Sequence, residues 1–176
     1  MGEAISWMAF KGITKEEALS RVGLRDTGEA DQMCESDTCG ARLGDGWYLI
    51  FANDEMFVLE HDENELSSGC RLVTFQVMEI VMTCMASCYE NVEPVWEISY
   101  LGNGKLDDLS VEGSPPDGFA AIRDRYVREQ EESAPGSLVD HIFEIPVETA
   151  KLVCGYRYDV TMFRWGRPSF TRLEPL

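Results

Sequence analysis

The chain has 176 residues, 44% of them apolar and 27% charged, which fits one soluble globular domain and excludes a disordered, fibrous or collagen-like architecture. A chain near this size buries about 70% of its unfolded surface, enough for a real core. Acidic side chains outnumber basic ones 32 to 15, a formal charge of −17, and that excludes a protein that wraps nucleic acid, whose phosphates need a basic face.

The start, Met1-Gly2-Glu3-Ala4-Ile5-Ser6-Trp7, lacks the basic and long apolar regions of a secretory signal. Gly2 and Ser6 only weakly imitate a myristoylation start, because Glu3 and Trp7 give no basic support. Residues 5–10 read as a first strand. Thr14 then opens a helix with a capping box to Glu17; Ala18, Leu19 and Val22 form its buried stripe and Gly23 its stop. The next twenty residues are polar and read as loop or edge strand. Residues 47–51 and 56–59 are apolar runs around Asn53-Asp54, a hairpin pattern. Residues 62–67 predict a short helix ending at Gly69.

Residues 71–88 favour two strands or one long bent strand, since Val73, Thr74, Phe75, Val77, Ile80 and Val81 prefer extended backbone. The stretch 72–88 is the most apolar, yet Glu79 at the middle of a membrane span would cost about 2–3 kcal/mol or more, so no transmembrane helix is expected. A strand at 95–101 follows, then a turn at Asn103-Gly104 and a return strand at 106–111. Ser114-Pro115-Pro116-Asp117 predicts a helix start, with Phe119, Ile122 and Tyr126 on its inner face and Asp124–Arg128 and Arg125–Glu129 pairs outside. A short strand is expected at 139–145. A third helix is bracketed by Pro146 and Gly155, with Val147, Ala150 and Cys154 inward. The expected fold is one α+β domain over 1–176, an antiparallel β-meander with about three helices packed on one face.

The six cysteines, Cys34, Cys39, Cys70, Cys84, Cys88 and Cys154, come without an export signal and read as thiols of a cytoplasmic protein. In a strand Cys84 and Cys88 sit about 13 Å apart at roughly 3.3 Å per residue, too far for zinc–sulfur bonds of about 2.3 Å. Glu35 and Asp37 beside Cys34 and Cys39 disfavour a thiolate. His61 lies in an acidic turn, and His141 reads as a structural histidine. Gly102-Asn103-Gly104-Lys105 lacks the spacing of a phosphate loop, and Asp62-Glu63-Asn64-Glu65 lacks the glycine of a calcium loop. No catalytic residue, metal or cofactor is therefore assigned.

Charge is uneven. Residues 1–112 carry net −15 and residues 113–176 net −2; within 26–65 there are 12 acids against Arg42 alone. That acidic block, with Trp47 and Tyr48 inside it, predicts a docking surface for a basic protein partner: Asp54, Glu55, Asp62 and Glu63 steer, and the two aromatics anchor. The segment Phe163-Arg164-Trp165-Gly166-Arg167-Pro168-Ser169-Phe170 alternates aromatics and arginines, but the net charge opposes nucleic acid. It predicts an edge strand that closes the sheet against the acidic half.

Four patterns resemble those of an uncharacterised bacterial protein family: Gly46-Trp47-Tyr48-Leu49, Val95-Trp96-Glu97-Ile98, Pro115-Pro116-Asp117-Gly118-Phe119-Ala120-Ala121-Ile122, and Ile145-Pro146 through Gly155-Tyr156-Arg157-Tyr158-Asp159. The resemblance implies a bacterial cytoplasmic protein and brings no catalytic residue with it. In general character, a small acidic α+β chain is also similar to immunity proteins that neutralise toxins. The expectation is a non-enzymatic binding protein, an immunity-type inhibitor docking a basic toxin or other basic partner. The alternative is a small hydrolase or thiol enzyme using Cys84 or Cys88 with His141.

Overall fold

The computed structural model describes residues 2–102, 105–134, 137 and 139–176. Among these, nine strands form one antiparallel sheet. They are β1 (Ala4–Lys11), β2 (Leu24–Ala30), β3 (Thr38–Arg42), β4 (Trp47–Ala52), β5 (Arg71–Met78), β6 (Thr83–Glu90), β7 (Glu93–Tyr100), β8 (Leu109–Gly113) and β9 (Thr171–Pro175). Their order is β2-β9-β3-β4-β1-β5-β6-β7-β8. Four helices accompany them: α1 (Lys15–Arg21), α2 (Glu63–Leu66), α3 (Phe119–Glu132) and α4 (Glu144–Cys154). The class is α+β, with the sheet dominant.

Strand alternation sends side chains to two faces, and each face has its own apolar layer. Trp7, Leu49, Phe75, Ala86 and Ile98 lie on one face beneath α3, α4 and the segment that follows α4. Met8, Phe10, Tyr48, Ile50 and Leu72 lie on the other, beneath α1 and the residues from Val58 to Cys70. The expectation of helices on one face is thus corrected: α1 and α2 cover the face opposite α3 and α4. The meander is also only partial. β5 to β8 follow one another, but β1 is inserted between β4 and β5, and β9 between β2 and β3.

Several local signals act as read. Thr14 accepts the Glu17 amide at 3.1 Å, and Gly155 closes α4 with a positive φ of 75°. Asn91 and Val92, both at positive φ, make the tight turn between β6 and β7. Others are overridden. Residues 56–59 do not form a hairpin strand, because the Asp54 carboxylate accepts the Met56 amide at 2.8 Å and Val58–Glu60 coils into a 3-10 turn. Residues 139–145 do not form a strand, because the Asp140 carboxylate accepts the Ile142 amide at 3.1 Å and leads the chain into α4. Gly118, at φ 97°, delays α3 to Phe119. Leu106–Asp108 is a 3-10 turn, so the return strand begins at Leu109. Residues 163–170 form no strand of the sheet; the strand that follows them, β9, lies inside the sheet and leaves β2 at the edge. The expected turn at Asn103-Gly104 falls outside the described residues.

Arg157 ties α4 to the chain after it. Its guanidinium meets Glu144 at 2.8 Å, Glu148 at 2.7 Å and Asp159 at 2.5 Å. At the other end of the sheet, Lys15 pairs with Asp26, Arg25 with Glu174 and Arg172 with Glu29, which ties α1 and β9 to β2. Among the described residues no helix is long and apolar enough to cross a membrane.

Candidate functional site

Trp47 and Tyr48 are 3% and 4% exposed, so neither is available as a surface anchor. β4 is flanked by β1 and β3 and covered on both faces, so Trp47 enters one apolar layer and Tyr48 the other. Tyr48 fits because position 40 is glycine: any Cβ there would collide with its hydroxyl.

The acidic residues have a different setting. The second face of the sheet runs out of cover beyond β5. In the row Gln76, Met85, Ser99, Ser110, and in the row Thr74, Ser87, Glu97, Glu112, neighbours share that face across paired strands. Burial falls along each row, and Ser110 and Glu112 on β8 are exposed. A groove of about 260 Å3 lies where the face emerges, with Glu55, Met56 and Leu59 on one wall, Gln76 and Met85 in the floor, and Leu101 on the other wall. Leu101 is 68% exposed and Met56 49%. The buried Gln76 side-chain oxygen has no hydrogen-bond partner among the described residues.

Glu63 starts α2 at the side of this face. Burial, and then repulsion from Asp62 and Glu97, push its carboxyl above the ordinary value. The same surroundings, burial first and then Glu63 and Glu97, push the Tyr89 hydroxyl up to about 12. Ser87 donates to Glu97 at 3.5 Å. None of Glu55, Asp62, Glu63 and Glu97 has an ion-pair partner among the described residues.

Of the sequence-predicted contact residues, Glu55 lines the groove, while Glu63 lies outside its lining, beside Asp62 and Glu97. Asp62 contributes charge while its carboxylate caps α2 at 3.0 Å from the Asn64 amide. Asp54 is exposed and braces the turn that follows it. Sequence reading missed Glu97, Tyr89, Met85 and Leu101. The polar face of β7, Glu97 and Ser99 alternating with Trp96 and Ile98, was the available signal, but nothing local placed it opposite Asp62 and Glu63.

Cys84 and Cys88, the thiols of the enzyme alternative, have little nucleophilic character. Cys84 borders the groove, but its side chain enters the opposite apolar layer, where the thiol donates to the Phe143 carbonyl at 3.4 Å; burial, then Glu144 and Asp140, push it up. Burial also pushes the Cys88 thiol up, despite the offset from Arg71. A reactive thiol needs the opposite shift. His141 sits 3.5 Å from Glu129, His61 bonds the Phe57 carbonyl at 2.8 Å, and neither hydrogen-bonds a cysteine among the described residues. Those residues also contain no group of three or more histidine, cysteine or acidic side chains arranged to hold a metal ion. In the arginine-rich tail, Phe163 and Trp165 stack on each other at 5.1 Å, and the Trp165 indole donates to the Gly155 carbonyl at 3.3 Å.

No family model, curated protein or solved structure matches this chain.

Proposed function

We propose that the groove docks a basic segment of another protein, and that the chain is a non-enzymatic cytoplasmic inhibitor of the immunity type. The observation that carries this reading is an exposed apolar groove edged by Glu55, Met56 and Leu101, with a second group of acids, Asp62, Glu63 and Glu97, gathered without an ion-pair partner among the described residues on the same side of the sheet. A lysine or arginine entering the groove would pair with Glu55, satisfy the Gln76 oxygen and lay its methylene stem against the methionines, and a second cation beside α2 would relieve the repulsion at Glu63. The half-buried setting makes such a pair stronger than one at an open surface.

A photo-crosslinker placed at Leu101, and separately at Glu131 on α3, tests the reading in native lysate. Basic proteins are expected to crosslink from position 101 and not from 131. Equal capture from both positions, or capture of proteins without a basic excess, would sink it.

Glu63 supplies a second test. A carboxyl with a folded-state pKa above its unfolded value costs the fold nothing at low pH, and the penalty grows as pH rises through the folded value. Glu63→Gln is thus expected to stabilise the free protein by about 0.5 kcal/mol at neutral pH, the scale of one partly screened charge interaction. The gain should vanish below the ordinary carboxylate value of 4.5. Chemical denaturation across pH measures it. A destabilised variant at neutral pH would show that Glu63 is held by a favourable contact instead.

A further inference from the structure

A second cavity, of about 400 Å3, opens on the other face between residues 32–34 and residues 156–168. Cys34, Tyr156 and Tyr158 line it together with Asn53, Glu79 and Arg167. Cys34 is held there by its backbone. Its φ is 52°, a left-handed conformation that a non-glycine residue keeps only when its surroundings impose it. Here the Asn53 amide donates to the Cys34 carbonyl at 2.6 Å and to the Ser36 carbonyl at 2.7 Å. The Cys34 amide donates to the Asp31 carbonyl at 3.0 Å, and the Asp31 carboxylate accepts the Glu35 and Ser36 amides. The turn so fixed keeps the partly exposed Cys34 thiol in contact with the thiol of Cys39, which is fully buried on β3.

We propose that Cys34 and Cys39 are a modification site: a thiol pair that a low-molecular-weight disulfide entering this cavity converts into an intramolecular disulfide. The roles follow from access. Cys34 lines the cavity, whereas Cys39 is sealed behind it. Contact with Cys34, then burial, push the Cys39 thiol up, so Cys39 keeps its proton while Cys34 reacts. In the first step the Cys34 thiolate attacks one sulfur of the small disulfide, whose S–S bond breaks; one thiolate leaves and takes a proton. Cys39 then gives up its proton and attacks the Cys34 sulfur, the mixed disulfide breaks, and the second small thiol leaves. The protein loses two protons and two electrons, and the small disulfide is reduced to two thiols. The product staples the 31–37 loop to β3.

The full chain, reduced and then incubated with oxidised glutathione, tests this directly. Trypsin releases residues 26–42, which hold Cys34 and Cys39 and no other cysteine. The expected result is that this peptide becomes two hydrogens lighter before Cys70, Cys84, Cys88 or Cys154 is modified, and that dithiothreitol reverses the change. C39A is expected to stop at a Cys34–glutathione adduct, and C34A to leave Cys39 unmodified. A wild-type peptide that stops at the glutathione adduct, a first disulfide at any other cysteine, or no reaction at all would overturn the proposal. If C39A does not fold, mapping of the wild-type peptide decides alone.

Discussion

Replacing Arg157 with alanine is expected to destabilise the fold by about 3 kcal/mol, the scale of breaking a buried ion pair from one side. For a chain of this size that is a fall in Tm of about 6–12 °C. The guanidinium is 15% exposed and sits among Glu144, Glu148 and Asp159; without it three carboxylates face one another across the join between α4 and the following segment. Arg157→Lys should recover only part of the loss, because a single ammonium cannot reproduce the two parallel bonds to Asp159, at 2.5 and 2.8 Å.

The pH dependence of that loss has a definite sign. Burial pushes the Asp159 carboxyl up, but hydrogen bonds from Arg157 and its positive charge outweigh burial and hold the carboxyl below its ordinary 3.8. A depressed carboxylate stabilises the fold above its unfolded pKa and loses that contribution as pH falls through the folded one. The difference between wild type and Arg157→Ala should therefore be full at neutral pH and shrink below about pH 4. Thermal unfolding followed by circular dichroism across that range measures both. A difference that stayed constant with pH would assign the loss to packing of the arginine stem instead of its charge.

What was legible in the sequence was local. The cap at Thr14, the short helix begun at Asp62, the stop at Gly155 and the extended backbone from residue 71, which takes the two-strand option, depend on neighbours within a few residues, and all four are present. The misreadings have a common physical origin. Ile142 and Ile145 look like strand by side-chain shape, yet one carboxylate, Asp140, captures the amides of Ile142 and Phe143 and turns the chain toward a helix. Asp54 does the same to the run after it. A hydrogen bond that stops extension outweighs an apolar preference for it.

Non-local placement was not legible. Nothing near β9 signals that it pairs on one side with β2 and on the other with β3, because that order depends on partners more than a hundred residues away. Trp47 and Tyr48 looked like anchors beside an acidic block, but β4 is an interior strand with an apolar layer on each face, so both rings are buried. The charge pattern was more durable than the aromatic one. Unpaired carboxylates are costly to bury, so Glu55 and Glu63 remain at the uncovered end of the sheet wherever the strands fall.

That persistence leads to the largest functional effect expected here. The triple variant E55K/D62K/E63K should weaken binding of any basic partner captured at position 101 by at least 100-fold, about 2.7 kcal/mol at 1.4 kcal/mol per tenfold. It reverses three charges beside the groove, and like charges brought together across an interface cost several kcal/mol. None of the three makes an ion pair within the chain among the described residues, so the fold should tolerate the change. Asp62 is the one exception in role, and D62N keeps a helix-capping side chain there if the lysine proves damaging. Salt separates the two contributions to binding. The screening length falls from about 10 Å at 0.1 M to about 3 Å at 1 M, so steering by Asp62 and Glu97 should fade with added salt, while contact with Met56, Met85 and Leu101 should persist. Association and dissociation rates, measured by biolayer interferometry for wild type, E55K/D62K/E63K and the apolar variant Leu101→Ala, distinguish them. Charge reversal should act mainly on the association rate and only at low salt, and Leu101→Ala mainly on dissociation at every salt. A partner that binds the triple variant as well as wild type would place its contact elsewhere on the molecule, and the groove would lose its assignment.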